Sequence, residues 1–255
     1  MCRPYSVSPT LQSTLSLSSV VRGLTHCDNK LFIVCGGSDT INVFGPNNEQ
    51  LTNIKVTLMN DPLDIVSCTE TRQLYVADVS RDLSCCVWRM SLDGRQVVKW
   101  LPNTSTTTSQ FSVQSLSMTS RRLLVTSYDN DELLLYGPDG VELKRLPLPD
   151  MKYLRHAVET SHGTFIVTHL QPQPEVCEVN VDGHVIHVYN NQQQLVCPEY
   201  LSLDSDGRIF VVDYNKQQVL LLNSRLELER VLLDKQQLQL PGRDPPGVGG
   251  PLSLC

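Results

Sequence analysis

Five short apolar segments recur along the chain at nearly regular intervals, and each is rich in β-branched or aromatic residues. They begin at Leu31, Leu74, Leu123, Thr164 and Ile209, so that successive starts lie 43, 49, 41 and 45 residues apart. Polar or glycine-containing stretches bound each segment. Short apolar runs of this composition between turn residues predict buried β-strands.

Similar neighbours surround these segments. In most units a short strand and a polar turn come before the segment, and a polar loop, a third strand and a tight turn follow it. Three of the tight turns contain Asp-Gly, which favours a hairpin because Gly accepts the positive φ that such turns require. They are Asp93-Gly94, Asp139-Gly140 and Asp182-Gly183. The alternation of Ile54, Val56 and Leu58 predicts a fourth strand after the first turn. Each unit is therefore predicted to be four antiparallel strands in 41–49 residues.

This period and strand count predict an all-β fold, a β-propeller of four-stranded antiparallel blades. One blade cannot cover its own two apolar faces, whereas neighbours stacked in a ring cover both. Five blades are recognisable, at about 21–60, 61–110, 111–150, 151–197 and 198–238.

The two ends of the chain differ from the blades. Residues 1–20 form an N-terminal segment in which Leu11, Leu15 and Leu17 alternate as in a strand that could close the ring. Residues 239–255 form a Pro/Gly-rich tail that is expected to be disordered. Two interpretations stay open, a closed five-bladed ring and a six-bladed ring whose last blade is truncated.

Composition narrows the class of protein. Of the 255 residues, 40% are apolar and 19% are charged, which is typical of a globular protein. The net charge of −6 disfavours nucleic-acid binding. No apolar run approaches the ~20 residues of a membrane span, and no secretory signal is visible, so a cytoplasmic location is expected. The nine cysteines include no Cys-x-x-Cys, so reduced thiols are expected and a zinc site with paired Cys ligands is not.

Candidate catalytic and metal-binding residues do not form a recognised motif. Five of the six histidines fall in the predicted fourth blade, but on different strands, and only His156 and His169 could reach the same face of the disc. The acidic stretch at 128–132 could hold Ca²⁺, but a solvated turn is the favoured explanation. Neither a Gly-x-Ser-x-Gly elbow nor a phosphate-binding loop occurs. No catalytic residue, no metal ligand and no cofactor is therefore predicted.

Two segments carry a family resemblance. The stretch Ile209–Leu222 (IFVVDYNKQQVLLL) and the shorter Leu74–Asp78 (LYVAD) resemble NHL repeats. These repeats build the propellers of the tripartite-motif NHL ubiquitin ligases and of the malin-type ligase. The resemblance covers about residues 21–235, is strongest in the second and fifth blades, and implies a six-bladed ring of which the last blade is incomplete here.

The resemblance also implies a role in recognition. The Cys/His spacing of a RING or B-box is missing, so this chain resembles the substrate-recognition half of such ligases. The family often places an Arg before the third-strand Val, where it can pair with the Asp. That position is Gln218 here, so an ion pair with Asp213 is not expected.

We therefore expect a non-catalytic, protein-binding propeller of the NHL type. Two alternatives are a lactonase-type hydrolase with a metal in its channel and an RNA-binding propeller; neither a membrane nor a small-molecule cofactor is expected as a partner. In a propeller the loops between second and third strands share one face with the loops that connect successive blades, and exposed aromatic and Arg residues there favour protein contacts. The predicted partner face consists of Arg81, Asp82, Tyr128, Asp129, Asn130, Arg155, His156, His169, Glu199, Tyr200, Tyr214 and Asn215.

Overall fold

Every strand of the structure lies in one of five four-stranded antiparallel sheets. The computed structural model describes residues 15, 17, 19–79, 84–101, 112–119, 122–127 and 131–235, and these residues form twenty strands. In each sheet the strands follow one another in chain order, as in a propeller blade. The predicted all-β architecture with five blades in a ring is thus confirmed. The described residues contain no helix, and therefore none that could span a membrane.

The strands have the following bounds. Blade 1 contains β1 (Val21–Cys27), β2 (Lys30–Cys35), β3 (Thr40–Phe44) and β4 (Ile54–Lys55), and blade 2 contains β5 (Asp61–Cys68), β6 (Gln73–Val79), β7 (Cys85–Ser91) and β8 (Val97–Leu101). Blade 3 contains β9 (Ser115–Thr119), β10 (Arg122–Thr126), β11 (Glu132–Tyr136) and β12 (Glu142–Pro147). Blade 4 contains β13 (Lys152–Glu159), β14 (Phe165–Gln171), β15 (Glu175–Val179) and β16 (Val185–Tyr189), and blade 5 contains β17 (Pro198–Leu203), β18 (Ile209–Asp213), β19 (Gln218–Leu222) and β20 (Leu228–Leu233).

Alternating side chains of the inner strands bury both flanks of a blade. On β6, Val76 packs into the apolar cluster between blades 1 and 2, whereas its neighbour Tyr75 packs into the cluster between blades 2 and 3. Two further clusters join blade 3 to blade 4 and blade 4 to blade 5. Because successive residues of a strand point to opposite sides, a wholly apolar strand fits this sandwiched position.

The interface between blade 5 and blade 1 differs from these four. Within the described ranges no buried apolar cluster bridges it; instead the Tyr200 hydroxyl donates a hydrogen bond to the Arg22 carbonyl at 2.6 Å. Leu15 and Leu17 pack on the flank of blade 1 that faces this interface. Leu11 lies outside the described residues, and a ring-closing N-terminal strand stays a prediction. The predicted tail at 239–255 also lies outside them.

The fourth strand of blade 1 is shorter than its alternation predicts. β4 ends at Lys55, and the next residues turn, with the Met59 N–H donating to the Val56 carbonyl at 2.9 Å. Val56 is buried, but Leu58 is 72% exposed, so the prediction of a strand through Leu58 was wrong. The turn interrupts the period of two that the sequence shows.

A fully buried aspartate lies at or next to the end of the second strand in blades 2 and 5. Asp213 accepts three backbone N–H groups, from Val196 at 2.7 Å and from Cys197 and Lys216 at 3.1 Å each. The Gln218 amide donates to the Gln194 carbonyl rather than to Asp213. In blade 2 the corresponding carboxylate, Asp78, accepts the N–H groups of residues 60 and 61 and the Trp88 indole N–H. Asp213 therefore ties the residues before β17 to the loop between β18 and β19, and Asp78 ties the start of blade 2 to the third strand β7.

Candidate functional site

The first strands of all five blades line a central cavity of about 670 Å³. Apolar residues such as Ile65 and Leu116 form part of its wall, and polar residues from β1, β5, β9, β13 and β17 interrupt them. A cavity of this size on the axis of a propeller is a natural place for a ligand.

Asp64 is buried in the wall of this channel, between blades 2 and 3. Its two carboxylate oxygens accept the backbone N–H of Ile65 at 2.8 Å and of Leu116 at 2.9 Å. Burial is the larger effect and raises the pKa of Asp64 to about 7, although both hydrogen bonds oppose the shift. Blade 1 approaches closely at Gly23, where a Cβ atom would lie 2.6 Å from an Asp64 oxygen. The channel therefore holds a carboxyl group that titrates near neutral pH.

His156 is the second buried titratable group of the channel. Its ring lies 5.5 Å from the ring of Tyr200, and within the described part of the chain its Nδ1 atom has no hydrogen-bond partner. Burial lowers the pKa of His156 to about 4, so the imidazole is neutral at physiological pH. Burial likewise raises the pKa of Tyr200, whose hydroxyl serves as the donor to Arg22.

Arg155 and Glu199 connect blade 4 to blade 5. The Arg155 Nε atom lies 3.5 Å from a Glu199 oxygen, and both side chains are mostly buried. The Arg155 carbonyl lies 3.4 Å from the Thr126 hydroxyl, which extends the contact to blade 3. These two residues are positioned as part of the packing between blades rather than as a free charged surface.

The predicted partner face is thus only partly a surface. Arg81, Asp82, Tyr128, Asp129 and Asn130 lie outside the described residues. Arg155, His156 and His169 are buried, and Glu199 and Tyr200 are half-buried. Tyr214 and Asn215 are exposed, Tyr214 to 50%. His156 and His169 do not form a pair, because His156 lines the channel whereas His169 lies beside Glu175 and Cys177 on a flank of blade 4.

His169, Glu175 and Cys177 form a compact group that the sequence did not predict. The donor atoms of all three lie within 4.8 Å of one another, and no other group of three or more potential metal ligands meets this criterion among the described residues. His169 and Cys177 are buried, and the Glu175 side chain is 15% exposed. Burial lowers the pKa of His169, and it raises the pKa of the Cys177 thiol with a further contribution from the Glu175 carboxylate.

The outer strand of blade 4, β16, presents apolar side chains to solvent. Val185, Ile186 and Val188 are 49%, 45% and 43% exposed. The Nδ1 atom of His187, which lies between them, donates a hydrogen bond to a Glu178 carboxylate oxygen at 2.7 Å. β16 contains no Asp, Glu, Lys or Arg.

Comparison with known proteins supports the fold. No family model matches the sequence, and no curated protein matches it. Several solved structures do. The chain is a five-bladed β-propeller. It is similar to the structure of a nidogen/laminin complex (TM-score 0.68, 14% identity, 86% of this chain and 82% of that chain). It is also similar to a protein of unknown function from Bacteroides caccae (0.64, 11%, 89% and 86%) and to a streptogramin B lyase (0.63, 14%, 84% and 70%).

Identities this low establish the propeller architecture alone. The neighbours of this propeller include both a complex between two proteins and a lyase. The NHL resemblance stays a prediction, because no family model supports it.

Proposed function

We propose that the protein is a non-catalytic propeller that binds an extended segment of a protein partner along β16. The observation that carries this proposal is the uncharged, apolar and exposed outer strand of blade 4. An edge strand has unpaired backbone N–H and C=O groups, and a partner strand can pair with them while its side chains cover the apolar residues.

The other outer strands support this choice by contrast. β12 carries Glu142, Lys144 and Arg145, and β20 carries Glu229 and Arg230. β8 carries Lys99, and β4 is only two residues long. Charged residues and short length are the usual protection of a sheet edge against pairing. β16 has neither, which supports the proposal that a partner covers this edge strand when the protein functions.

The resemblance to NHL propellers supports the same role. In that family the propeller is the recognition part of a ubiquitin ligase, so substrate recognition in such a pathway is the finer form of this proposal. The exposed Tyr214 and Asn215 on the loop face could add contacts beyond the edge strand.

Photo-crosslinking from the edge strand tests the proposal. A photoreactive residue at position 186 should form an adduct with one partner protein in cells, and the same residue at position 231 on β20 should not. The identified partner should then lose most of its affinity for Val188→Lys but keep it for the matched control Val231→Lys, whose side chain is 41% exposed. Equal binding by the two variants, or an adduct of this chain with itself alone, would overturn the proposal.

A second candidate function, catalysis or small-molecule binding in the channel, is favoured by one observation. The buried His156 Nδ1 atom lies unpartnered, among the described residues, in a 670 Å³ cavity that also contains Asp64. A carboxyl group with a pKa of about 7 could act as a general base there. Hydrolysis of a panel of lactones and esters should then be lost in Asp64→Asn; no turnover by the wild-type protein excludes a hydrolase of these substrates.

A further inference from the structure

The strand pairing of blade 4 places three potential metal ligands on one flank of the sheet. His169 on β14 lies directly opposite Glu175 on β15, and Cys177 follows two residues later. Since alternate residues of a strand share a face and cross-strand partners point the same way, the three side chains converge. The flank they occupy is the one that packs against blade 3, where Cys177 contacts the apolar cluster.

The distances among the three donor atoms fit one metal ion. Cys177 Sγ lies 3.5 Å from His169 Nε2 and 3.6 Å from Glu175 Oε2, and Nε2 lies 3.3 Å from Oε2. A tetrahedral zinc ion, bonded at about 2.3 Å to sulfur and about 2.0–2.1 Å to nitrogen or oxygen, requires separations of about 3.5 Å from sulfur and about 3.3 Å between nitrogen and oxygen. All three separations agree with that geometry to about 0.1 Å.

Hydrogen bonds around the cluster hold the ligands in orientation. The Gln171 carbonyl lies 2.9 Å from His169 Nδ1 and can only accept, so Nδ1 carries the hydrogen and Nε2 presents its lone pair to the other two donors. Glu175 Oε1 accepts from the Gln173 amide at 2.6 Å, which leaves Oε2 for the cluster. Metal-binding histidines and carboxylates are usually fixed by such outer contacts.

A bound cation would stabilise this arrangement when the imidazole is neutral. With a neutral imidazole, the bare Nε2 lone pair faces a carboxylate oxygen at 3.3 Å, and the single Cys177 proton can serve only one of these two acceptors. A divalent ion between them removes the repulsion, and its charge balances one thiolate and one carboxylate. Mixed sulfur, nitrogen and oxygen ligands of this kind suit zinc.

We propose that His169, Glu175 and Cys177 bind one zinc ion, with a fourth position open to water or to a group of a partner. Binding would release the Cys177 proton and would clamp the end of β14 to the start of β15. The connection between these strands, residues 172–174, would thereby be held in place, together with the Gln192 side chain that donates to Gln173. The site adjoins the edge strand β16, because Cys177 pairs with Val188, but zinc binding by the purified chain needs no partner on that strand.

Metal titration of the purified chain tests the site. The protein is stripped with a chelator under reducing conditions and titrated with Zn²⁺ against a chromophoric competitor, and with Co²⁺ by absorption. We expect one equivalent to bind, with the charge-transfer absorption of a cobalt–thiolate bond. Cys177→Ser and His169→Gln should each weaken zinc binding by more than about 100-fold, because a direct ligand matters more than an outer contact.

Cys197→Ser provides the matched control. Cys197, just before β17, and Glu199 have the same two-residue spacing in the reverse order, with Sγ 3.2 Å from a carboxylate oxygen, but among the described residues no histidine completes a group of three ligands with them. The zinc affinity of the Cys197→Ser variant should equal that of the wild type. Circular dichroism establishes that each variant is folded. Wild-type protein that binds no zinc, or zinc binding that survives Cys177→Ser, would refute the proposal.

Discussion

Blades 4 and 5 use the same structural position for different purposes. Near the end of β14 in blade 4, His169 faces the first residue of the third strand, and Asp213, the last residue of β18 in blade 5, does the same. Asp213 is surrounded by backbone N–H groups, and its cross-strand neighbour Gln218 turns away to the Gln194 carbonyl. His169 instead meets two further polar side chains, Glu175 and Cys177.

Blade 2 supports the interpretation of blade 5. Asp78 occupies this position, and the residue that corresponds to Cys177 is Trp88, whose indole N–H donates to Asp78 at 3.0 Å. A buried polar side chain whose hydrogen bonds are all satisfied by the protein stabilises the fold. One that faces other acceptors, as in blade 4, is suited to binding an ion. The same position in the repeat therefore has a structural role in blades 2 and 5 and forms a candidate metal site in blade 4.

Removing the carboxylate of blade 5 should have the largest effect on stability. Asp213→Ala leaves three backbone N–H donors without their partner, at about 1–3 kcal/mol each, so we expect a loss on the order of 5 kcal/mol. His169→Ala in metal-free protein removes the Nδ1 hydrogen bond to Gln171 and the weaker Nε2 contact with Cys177, and should cost less, on the order of 2 kcal/mol. Urea unfolding of both variants measures the difference. Equal losses would contradict the distinction between the two blades.

The channel contains two buried titratable groups, Asp64 and His156, whose pKa values are shifted in opposite directions. Their contributions to stability should therefore depend on pH in opposite ways. Asp64 has a folded pKa raised to about 7, so its contribution to stability is full below about pH 4 and is lost as the pH rises to about 7. His156 has a folded pKa lowered to about 4, so its contribution is present above about pH 6.5 and is lost as the pH falls toward 4. For Asp64, three pKa units correspond to on the order of 4 kcal/mol.

Urea unfolding between pH 4 and 8 checks these signs. The stability of wild type minus that of Asp64→Asn should fall as the pH rises, whereas wild type minus His156→Asn should rise. If the two stability differences change in the same direction with pH, the buried environment assigned to Asp64 or to His156 is wrong.

Gly23→Ala tests how closely blade 1 approaches Asp64. The new Cβ would lie 2.6 Å from the Asp64 carboxylate and 2.8 Å from the Ile65 backbone nitrogen, which cannot move freely. We expect a loss of about 2 kcal/mol in thermal or urea unfolding, as for other overpacked sites. Gly36→Ala is the control, since its nearest neighbour is the flexible Arg22 side chain at 3.0 Å. A neutral Gly23→Ala would mean that the interface between blades 1 and 2 is loose.

The outer strands of blades 4 and 5 should differ in binding but not in stability. Val188→Lys and Val231→Lys replace side chains of 43% and 41% exposure, so each should change the free energy of unfolding by no more than about 0.5 kcal/mol. Thermal unfolding of both variants checks this. A large loss for Val188→Lys alone would show that β16 is packed rather than open.

The blades were predictable because their signals are local. A strand such as β18 is apolar throughout, and a polar turn follows it within a few residues. β9, by contrast, reads Ser-Leu-Ser-Met-Thr and was not predicted as a strand, because its neighbours rather than its composition bury it.

The group in blade 4 could not be predicted from composition, because it depends on strand register. The short connection after Gln171 places Glu175 opposite His169, and sequence reasoning paired His169 with His156 instead. A signal was present: aligning the repeats puts His169 where Asp78 and Asp213 stand, followed by alternating Glu175 and Cys177. Asp64 gave no such signal, since its environment comes from blades 1 and 3.

The contrast between the two blades is tested most directly by anomalous diffraction at the zinc edge from crystals grown with Zn²⁺. We predict one strong peak about 2.3 Å from Cys177 Sγ and about 2.0–2.1 Å from His169 Nε2, and none at Asp213. A map without a peak at blade 4, or with density of equal height at Asp213, would contradict the account.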